Sequence, residues 1–175
     1  MIYLNLFRPN IYKKDVFDID YNALKEKGIK CLVFDLDNTL GLIDQKKCPL
    51  KVKKLIKELQ KDFLIFISSN NTYKRIKPYL KELGVGGVAW SLKPSTRGLL
   101  KIKLKYKLKK KEMAMIGDRI VTDILSGNRF KILTILVDPL GEKDLKITGL
   151  NRKIEKRIVK YFKKRGLFER GKYYG

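Results

Sequence analysis

The sequence predicts an α/β fold with a five-stranded, mainly parallel sheet, and three observations support this. Short apolar segments alternate along the chain with longer segments in which apolar residues recur at helical spacing. Several of the short segments end in acidic or hydroxyl residues, as strands of open parallel sheets do where they carry chemistry. The length of 175 residues suits one domain with a substantial core. We therefore expect a single domain over residues 1–175.

The predicted strands lie at residues 30–36, 63–67, 87–91, 113–116 and 132–137. The predicted helices lie at residues 22–28, 52–59, 76–83, 95–106, 121–125 and 151–165. Residues 1–29 are expected to form an N-terminal arm, and residues 151–175 a basic C-terminal helix and tail. Residues 166–175 are expected to fray, as chain ends commonly do.

The segment 101–108 is ambiguous, because lysine and apolar residues alternate there with the period of a strand. Leu99, Ile102 and Tyr106 nevertheless share one face of a helix. The flanking strands should be parallel neighbours, and such neighbours need a crossover connection, which is usually a helix. We therefore predict a helix here.

Four of the predicted strands are followed by residues that can carry chemistry. Two aspartates separated by one residue follow the first strand, where they would repel each other unless a cation or a proton relieved them. Hydroxyls follow the second strand, a lysine the third, and a further pair of aspartates the fourth. The residues are Asp35, Asp37, Ser68, Ser69, Lys93, Asp118 and Asp123. The series predicts a site for a phosphoryl group or a divalent metal ion.

The chain contains no histidine. A Ser-His-Asp triad, a histidine-ligated zinc site and an imidazole base are therefore excluded. Any acid–base chemistry must use carboxylates, lysines or tyrosines. The two cysteines, Cys31 and Cys48, have no metal-like spacing and are typical of reduced, intracellular thiols, so we expect a cytoplasmic protein.

These motifs resemble those of the haloacid dehalogenase (HAD) phosphatases, which share an Asp-x-Asp-x-Thr motif, a Ser or Thr, a Lys and a Gly-Asp-x-x-x-x-Asp motif in this order. The likeness is greatest to the YqeG-type branch, subfamily IIIA, on Asp-Leu-Asp-Asn-Thr-Leu (35–40), Ser-Asn-Asn (69–71), Lys-Pro (93–94) and Gly-Asn-Arg (127–129). Relatives of this branch include mitochondrial phosphatases that act on phosphatidylglycerophosphate. The resemblance implies a three-layer, Rossmann-like HAD core.

The resemblance also implies a role for each motif residue. Asp35 would be the nucleophile that forms an aspartyl-phosphate, and Asp37 the general acid and base. Ser69 and Lys93 would complete the catalytic group. Mg²⁺ would be held by Asp35, by the backbone carbonyl of Asp37, by Asp118, and through water by Asp123. The residues expected to bind phosphate or substrate are Asn38, Thr39, Asn70, Asn71 and Arg129. A turn and a surface charge are the alternative explanation for Asn128 and Arg129.

Many phosphatases of this kind carry a cap domain, but the spacing between the motifs leaves room for one helix in each candidate position. We therefore expect no cap, and an open site that suits a phosphate attached to a lipid or a macromolecule. The sequence contains 41 Lys and Arg against 18 Asp and Glu, a formal net charge of +23. This balance favours polyanionic partners, although a lysine-rich proteome explains the total equally well.

Two kinds of alternative stay open. The phosphatase could act on nucleic-acid ends or phosphoproteins instead of an anionic lipid. The chain could also be a basic RNA- or ribosome-binding module with a vestigial site. The C-terminal helix could pack its apolar stripe on the sheet, lie on an anionic membrane surface, or contact nucleic acid.

Overall fold

The computed structural model describes residues 4–141 and 149–175. Its centre is a six-stranded sheet with the order β1-β6-β5-β2-β3-β4, in which all neighbouring strands are parallel. Strands β1 to β6 span Ile11–Lys13, Cys31–Phe34, Leu64–Ser68, Gly86–Val88, Met113–Gly117 and Leu133–Val137. Helices α1 to α6 span Tyr21–Glu26, Leu50–Leu59, Tyr73–Leu83, Arg97–Lys105, Leu125–Phe130 and Gly149–Lys164.

The helices cover both faces of the sheet and give the predicted three layers. Helices α1, α2 and α3 pack on one face of the sheet. There Leu24, Ile56 and Ile76 form one core with the side chains that β2, β3 and β5 direct toward these helices. Helices α4 and α5 cover the other face through Leu99 and Phe130. The alternation follows from the period-two geometry of buried strands, which sends successive side chains to opposite faces. The predicted α/β fold class is confirmed.

The predicted number of five strands is wrong, because β1 lies in the expected N-terminal arm, where we predicted a helix but no strand. This strand has only three residues, Ile11–Lys13, and pairs with Ile135–Val137 of β6. A strand this short shows no usable period in sequence, and its pairing depends on contacts more than a hundred residues away. The helix predicted over the ambiguous lysine-rich segment is confirmed as α4, in which Leu99 and Ile102 are buried.

The C-terminal segment packs on the rest of the fold. Ile158 and Phe162 of α6 are buried with Tyr12 and Leu136 of the sheet and with a π-helical turn at Ile120–Ile124. The expectation that residues 166–175 fray is wrong. Phe168 is buried, and Tyr174 exchanges two backbone hydrogen bonds of 2.9 Å with Tyr12. Apolar burial by Phe168 outweighs the entropy that favours loose chain ends.

The β2–β3 and β3–β4 connections, which the structure describes throughout, contain no cap. Between β2 and β3 the chain forms a loop and α2, and between β3 and β4 it forms α3. Cys31 and Cys48 are buried free thiols. None of the helices within residues 4–141 and 149–175 combines the length and the apolar character that a bilayer-spanning segment needs.

The docking of the C-terminal tail can be tested by truncating Phe168, whose ring packs against Tyr12 with 5.1 Å between centroids. We expect Phe168→Ala to lower the free energy of unfolding by about 3 kcal/mol, because it removes a buried aromatic ring and leaves a cavity. Phe17→Ala is the matched control, since Phe17 is 46% exposed. Urea unfolding of both variants makes the measurement. Equal, small losses for the two variants would contradict the docked position.

Candidate active site

The motif residues meet at the carboxyl edge of four adjacent strands, β5, β2, β3 and β4. Asp35 directly follows β2, Ser68 ends β3, and Asp118 directly follows β5. Lys93 lies in the loop between β4 and α4. This edge is where a parallel sheet leaves backbone groups unpaired and where side chains from successive strands converge. All four positions are buried.

Three carboxylates form the centre of the site. Oxygen atoms of Asp35, Asp118 and Asp123 lie within 4.8 Å of one another. Burial, opposed by the ammonium of Lys93 and reinforced by the charge of Asp123, raises the pKa of Asp35 to about 7. Burial, with the charges of Asp35 and Asp123, also raises the pKa of Asp118 well above its usual value. The charged forms of these acids are therefore costly without a further cation.

Lys93 supplies one compensating charge. Its ammonium forms ion pairs with Asp35 and, at 2.7 Å, with Asp123, and it donates to the carbonyl of Ser68 at 2.7 Å. Burial disfavours the charged amine, but Asp123 and Asp35 outweigh it and raise the pKa of Lys93 above its usual value. The lysine is therefore a fixed cation between Asp35 and the second acidic motif.

Asn70 holds the loop that carries Lys93. Its side-chain oxygen accepts hydrogen bonds from the backbone N–H of Lys93 at 2.7 Å and from the hydroxyl of Ser91 at 2.9 Å. Its side-chain nitrogen donates to the carbonyl of Lys93 at 2.9 Å. The side chain of Asn70 thus positions the lysine, whereas the group of Asn70 expected near the phosphoryl oxygens is its backbone N–H.

In the second acidic motif, Gly117 leaves room for the side chain of Asp123. A Cβ atom added to Gly117 would lie 2.4 Å from Cγ of Asp123, so the carboxylate occupies the space of the missing side chain. The π-helical turn brings Asp123 back over the strand end, where its Oδ2 accepts a hydrogen bond of 3.1 Å from the backbone N–H of Arg119. The glycine of the Gly-Asp motif is therefore required by Asp123.

Asp37 is held apart from these three acids by residues of the β3–α3 region. Its carboxylate forms an ion pair of 2.8 Å with Arg75 and accepts a hydrogen bond of 3.3 Å from the side chain of Asn71. Arg75 also donates to the carbonyl of Leu42 at 3.0 Å. The sequence analysis missed Arg75. The only available signal was a basic residue in the first turn of the helix after the Ser-Asn-Asn motif.

The turn after Asp37 is closed by its own backbone. The N–H of Asn38 donates to the carbonyl of Gly41 at 2.7 Å, and the N–H of Thr39 donates to that of Leu36 at 3.3 Å. These two amides, which we expected near the phosphoryl oxygens, therefore serve the turn. The hydroxyl of Thr39 lies 3.5 Å from a carboxylate oxygen of Asp118, so it does face the acidic cluster.

The remaining predicted residues divide into two groups. Ser68 and Ser69 are both buried at the end of β3; the Ser69 hydroxyl accepts a hydrogen bond of 3.1 Å from the N–H of Asn71. Arg129 is exposed and donates to the carbonyl of Pro94 at 3.3 Å. Its described contact is with the backbone after Lys93 and not with the acidic cluster.

A divalent cation fits this donor set. One buried ammonium faces three buried carboxylates, and the guanidinium of Arg119 reaches Asp118 only at 3.9 Å. Negative charge therefore remains in excess. Oxygen-only ligands at this spacing suit a hard divalent ion.

Comparison with known proteins agrees with this geometry. Residues 2–141 match the family described as mitochondrial PGP phosphatase. The "Probable phosphatase YqeG" of Bacillus subtilis is 34% identical over 161 residues, which cover 91% of this chain and 94% of that protein. "Phosphatidylglycerophosphate phosphatase 1, chloroplastic/mitochondrial" of Arabidopsis thaliana is 28% identical over 170 residues, which cover 91% of this chain but only 49% of the plant protein.

A solved structure extends the comparison to the fold. The putative HAD superfamily (subfamily III A) hydrolase from Legionella pneumophila superposes with a TM-score of 0.51 and 20% identity, covering 86% of this chain and 94% of that chain. The acidic cluster, the buried lysine and the family match over most of the sequence lead to one assignment: the chain is a phosphatase of the HAD superfamily and belongs to the YqeG-type, mitochondrial PGP phosphatase family.

Proposed function

We propose that this protein is a Mg²⁺-dependent phosphomonoester hydrolase that works through an aspartyl-phosphate. The observation that carries the proposal is the contact of one buried ammonium, that of Lys93, with both Asp35 and Asp123 beside Asp118. A carboxylate can approach a phosphoryl group only where cations offset both negative charges. Here Lys93 is fixed next to the oxygen that would attack.

Each residue then has a defined task. Asp35 attacks phosphorus and displaces the leaving oxygen, and Asp37 donates a proton to that oxygen. Asp37 next removes a proton from the water that releases phosphate from Asp35. Arg75 and Asn71 orient the Asp37 carboxylate, and Asn70 keeps Lys93 in place. Ser69 and the backbone N–H of Asn70 would hold phosphoryl oxygens. Mg²⁺, held by Asp35 and Asp118 with the Asp37 carbonyl and an Asp123-oriented water, would supply further positive charge.

We further propose that the substrate phosphate is presented at a membrane, with phosphatidylglycerophosphate as the first candidate and an anionic bilayer as the partner. Three exposed apolar side chains support this. Trp90, Leu92 and Tyr73 are 62%, 60% and 57% exposed. Trp90 donates its backbone N–H to the carbonyl of Asn71, and Leu92 precedes Lys93. Tyr73 begins α3 two residues after Asn71, so all three lie on segments that carry site residues. Trp beside basic residues suits the interface of an anionic leaflet.

Lys74 and Arg97 are exposed on the same two segments and supply the positive charge that such a leaflet attracts. The absence of a cap between β2 and β4 leaves the site open to a phosphate anchored in a bilayer. We propose that the protein is cytoplasmic and binds the membrane surface peripherally. The plant relative supports the lipid substrate by its name alone.

The chemistry is tested with Asp35→Asn. We expect this variant to lose Mg²⁺-dependent hydrolysis of p-nitrophenyl phosphate by about 10³-fold or more, because the amide cannot act as the nucleophile. Asp18→Asn, which alters an exposed carboxylate, is the control and should keep full activity. Turnover that survives in Asp35→Asn would refute the mechanism. A screen of phosphatidylglycerophosphate, a 5′-phosphorylated oligonucleotide and a phosphopeptide then separates the proposed substrate from the alternatives.

The metal requirement is tested by the effect of pH on thermal unfolding. In metal-free protein the raised pKa of Asp35, about 7 against 3.8, stabilises the fold fully below about pH 4, and this contribution is lost as pH rises through about 7. Mg²⁺ needs ionised ligands, so its apparent affinity should rise by up to about tenfold per pH unit below pH 7 for each proton released. We expect the Mg²⁺-induced increase in Tm to grow between about pH 5.5 and about pH 8.

Asp118→Asn should abolish that increase, while Asp18→Asn should keep it. The same increase in Tm at both pH values, or its persistence in Asp118→Asn, would show that Mg²⁺ acts elsewhere on the protein. Measurements in EDTA give the metal-free reference for each variant.

Membrane binding is tested with the natural fluorescence of Trp90, which is the only tryptophan in the sequence. Vesicles that contain phosphatidylglycerol should shift its emission to shorter wavelength, and vesicles of phosphatidylcholine alone should not. Leu92→Ser should weaken vesicle co-sedimentation several-fold. Leu104→Ser is a matched control, because Leu104 is 62% exposed near the far end of α4. Sedimentation without any change in emission would place the contact on another surface.

A further inference from the structure

A cleft leads away from the acidic cluster along helix α6. Its volume is about 710 Å³, and Asn38 and Asp118 form its inner end. A phosphoryl group would occupy only a small part of this space, which lies within the range of pockets for whole ligands. The cleft is therefore positioned to receive the group to which the substrate phosphate is attached.

The outer wall of the cleft is basic. Lys156, Lys160 and Lys163 line it at helical positions i, i+4 and i+7, which share one face of α6. Lys163 forms an ion pair with Glu169. Among the residues that the structure describes, Lys156 and Lys160 form no ion pair with an acid, and both are exposed.

The acidic residues of the cleft do not cancel these two lysines. Asp138 and Glu155 are both engaged by the guanidinium of Arg170, at 3.2 Å and 2.8 Å. Asp118 belongs to the acidic cluster at the inner end. Pro139 and Val159 also line the cleft and offer a small apolar surface. The cleft thus combines a buried inner end at the acidic cluster, some apolar surface and two exposed ammonium groups.

We propose that Lys156 and Lys160 bind a second anionic group of the substrate, a phosphodiester, while its terminal phosphomonoester lies at Asp35. This inference rests on the proposed phosphatase function and names the residues that select the substrate. Helix α6 begins at Gly149, beyond residues 2–141 that match the family, so the family match carries no information about it. Phosphatidylglycerophosphate has the required chemistry, a monoester and a diester joined by glycerol.

The test compares two soluble substrates in the absence of lipid. Glycerophosphoglycerol phosphate carries both a phosphodiester and a phosphomonoester, whereas glycerol 3-phosphate carries the monoester alone. We expect the wild type to prefer the first in kcat/KM. The double variant Lys156→Gln/Lys160→Gln should lower kcat/KM for the first about tenfold, mainly through KM, because charge-assisted contacts to the diester are lost. Hydrolysis of glycerol 3-phosphate and of p-nitrophenyl phosphate should stay unchanged.

The matched control is Lys77→Gln/Lys81→Gln, which removes two exposed lysines with the same i, i+4 spacing from α3. It should retain the substrate preference. An equal loss of kcat/KM on both substrates in the α6 variant, or the same loss in the control, would overturn the proposal. Either result would show that the lysines act only through the overall positive charge of the protein. No preference in the wild type would overturn it as well.

Two further measurements separate this inference from its neighbours. Glycerophosphoglycerol, which has only the diester, should bind the inactive Asp35→Asn protein in calorimetry and should not bind when Lys156 and Lys160 are also replaced; this readout does not require catalysis. Co-sedimentation with phosphatidylglycerol vesicles distinguishes the source of the diester. If the α6 variant keeps its preference between soluble substrates and loses only vesicle binding, the lysines contact neighbouring lipids and the proposal is wrong. Failure to hydrolyse p-nitrophenyl phosphate in the wild type would instead refute the phosphatase function.

Discussion

The compensation of buried negative charge by Lys93 is the interaction on which the site depends. Asp35 follows β2, and Asp118 and Asp123 follow the neighbouring strand β5. Lys93 reaches Asp35 and Asp123 from the loop after β4. Neither group would be stable as an ion in this position alone, because the desolvation cost of an unpaired buried charge is several kcal/mol. The fold therefore brings these oppositely charged residues together in one buried site. The site lies at the carboxyl edge of the sheet, where the loops after β5, β2, β3 and β4 meet.

Much of the architecture around this charge balance was predictable. The strands that carry the site are followed in the sequence by their motif residues, so both could be predicted together. The ambiguous segment before β5 could be predicted as a helix because parallel neighbouring strands need a crossover connection. Strand β1 and the docked tail were not predictable in the same way. Both are short, and their partners lie far along the chain: Ile135–Val137 pairs with the strand, and Tyr12 pairs with Tyr174 of the tail. No local sequence pattern therefore predicts either of them.

The same distinction holds within the site. Residues whose role depends on type and position along the chain, such as Asp35 and Lys93, were identified from the motif order. The contacts of Arg75, Asn70 and Arg129 depend on loop geometry that the motifs do not encode. The motif predicts a phosphate contact by the backbone of Asn70 but not the contacts of its side chain with the backbone of Lys93. The motifs thus predicted which charged groups meet at the sheet edge better than they predicted the residues that orient those groups.

The pairing of Tyr12 with Tyr174 has a consequence for the sheet as a whole. Strand β1 lies at one edge of the sheet, and its outer hydrogen-bonding groups would otherwise face another molecule as an open template. The antiparallel bridge from the tail closes this template at its middle residue. The docked tail therefore leaves less of this edge open to strand pairing between neighbouring molecules.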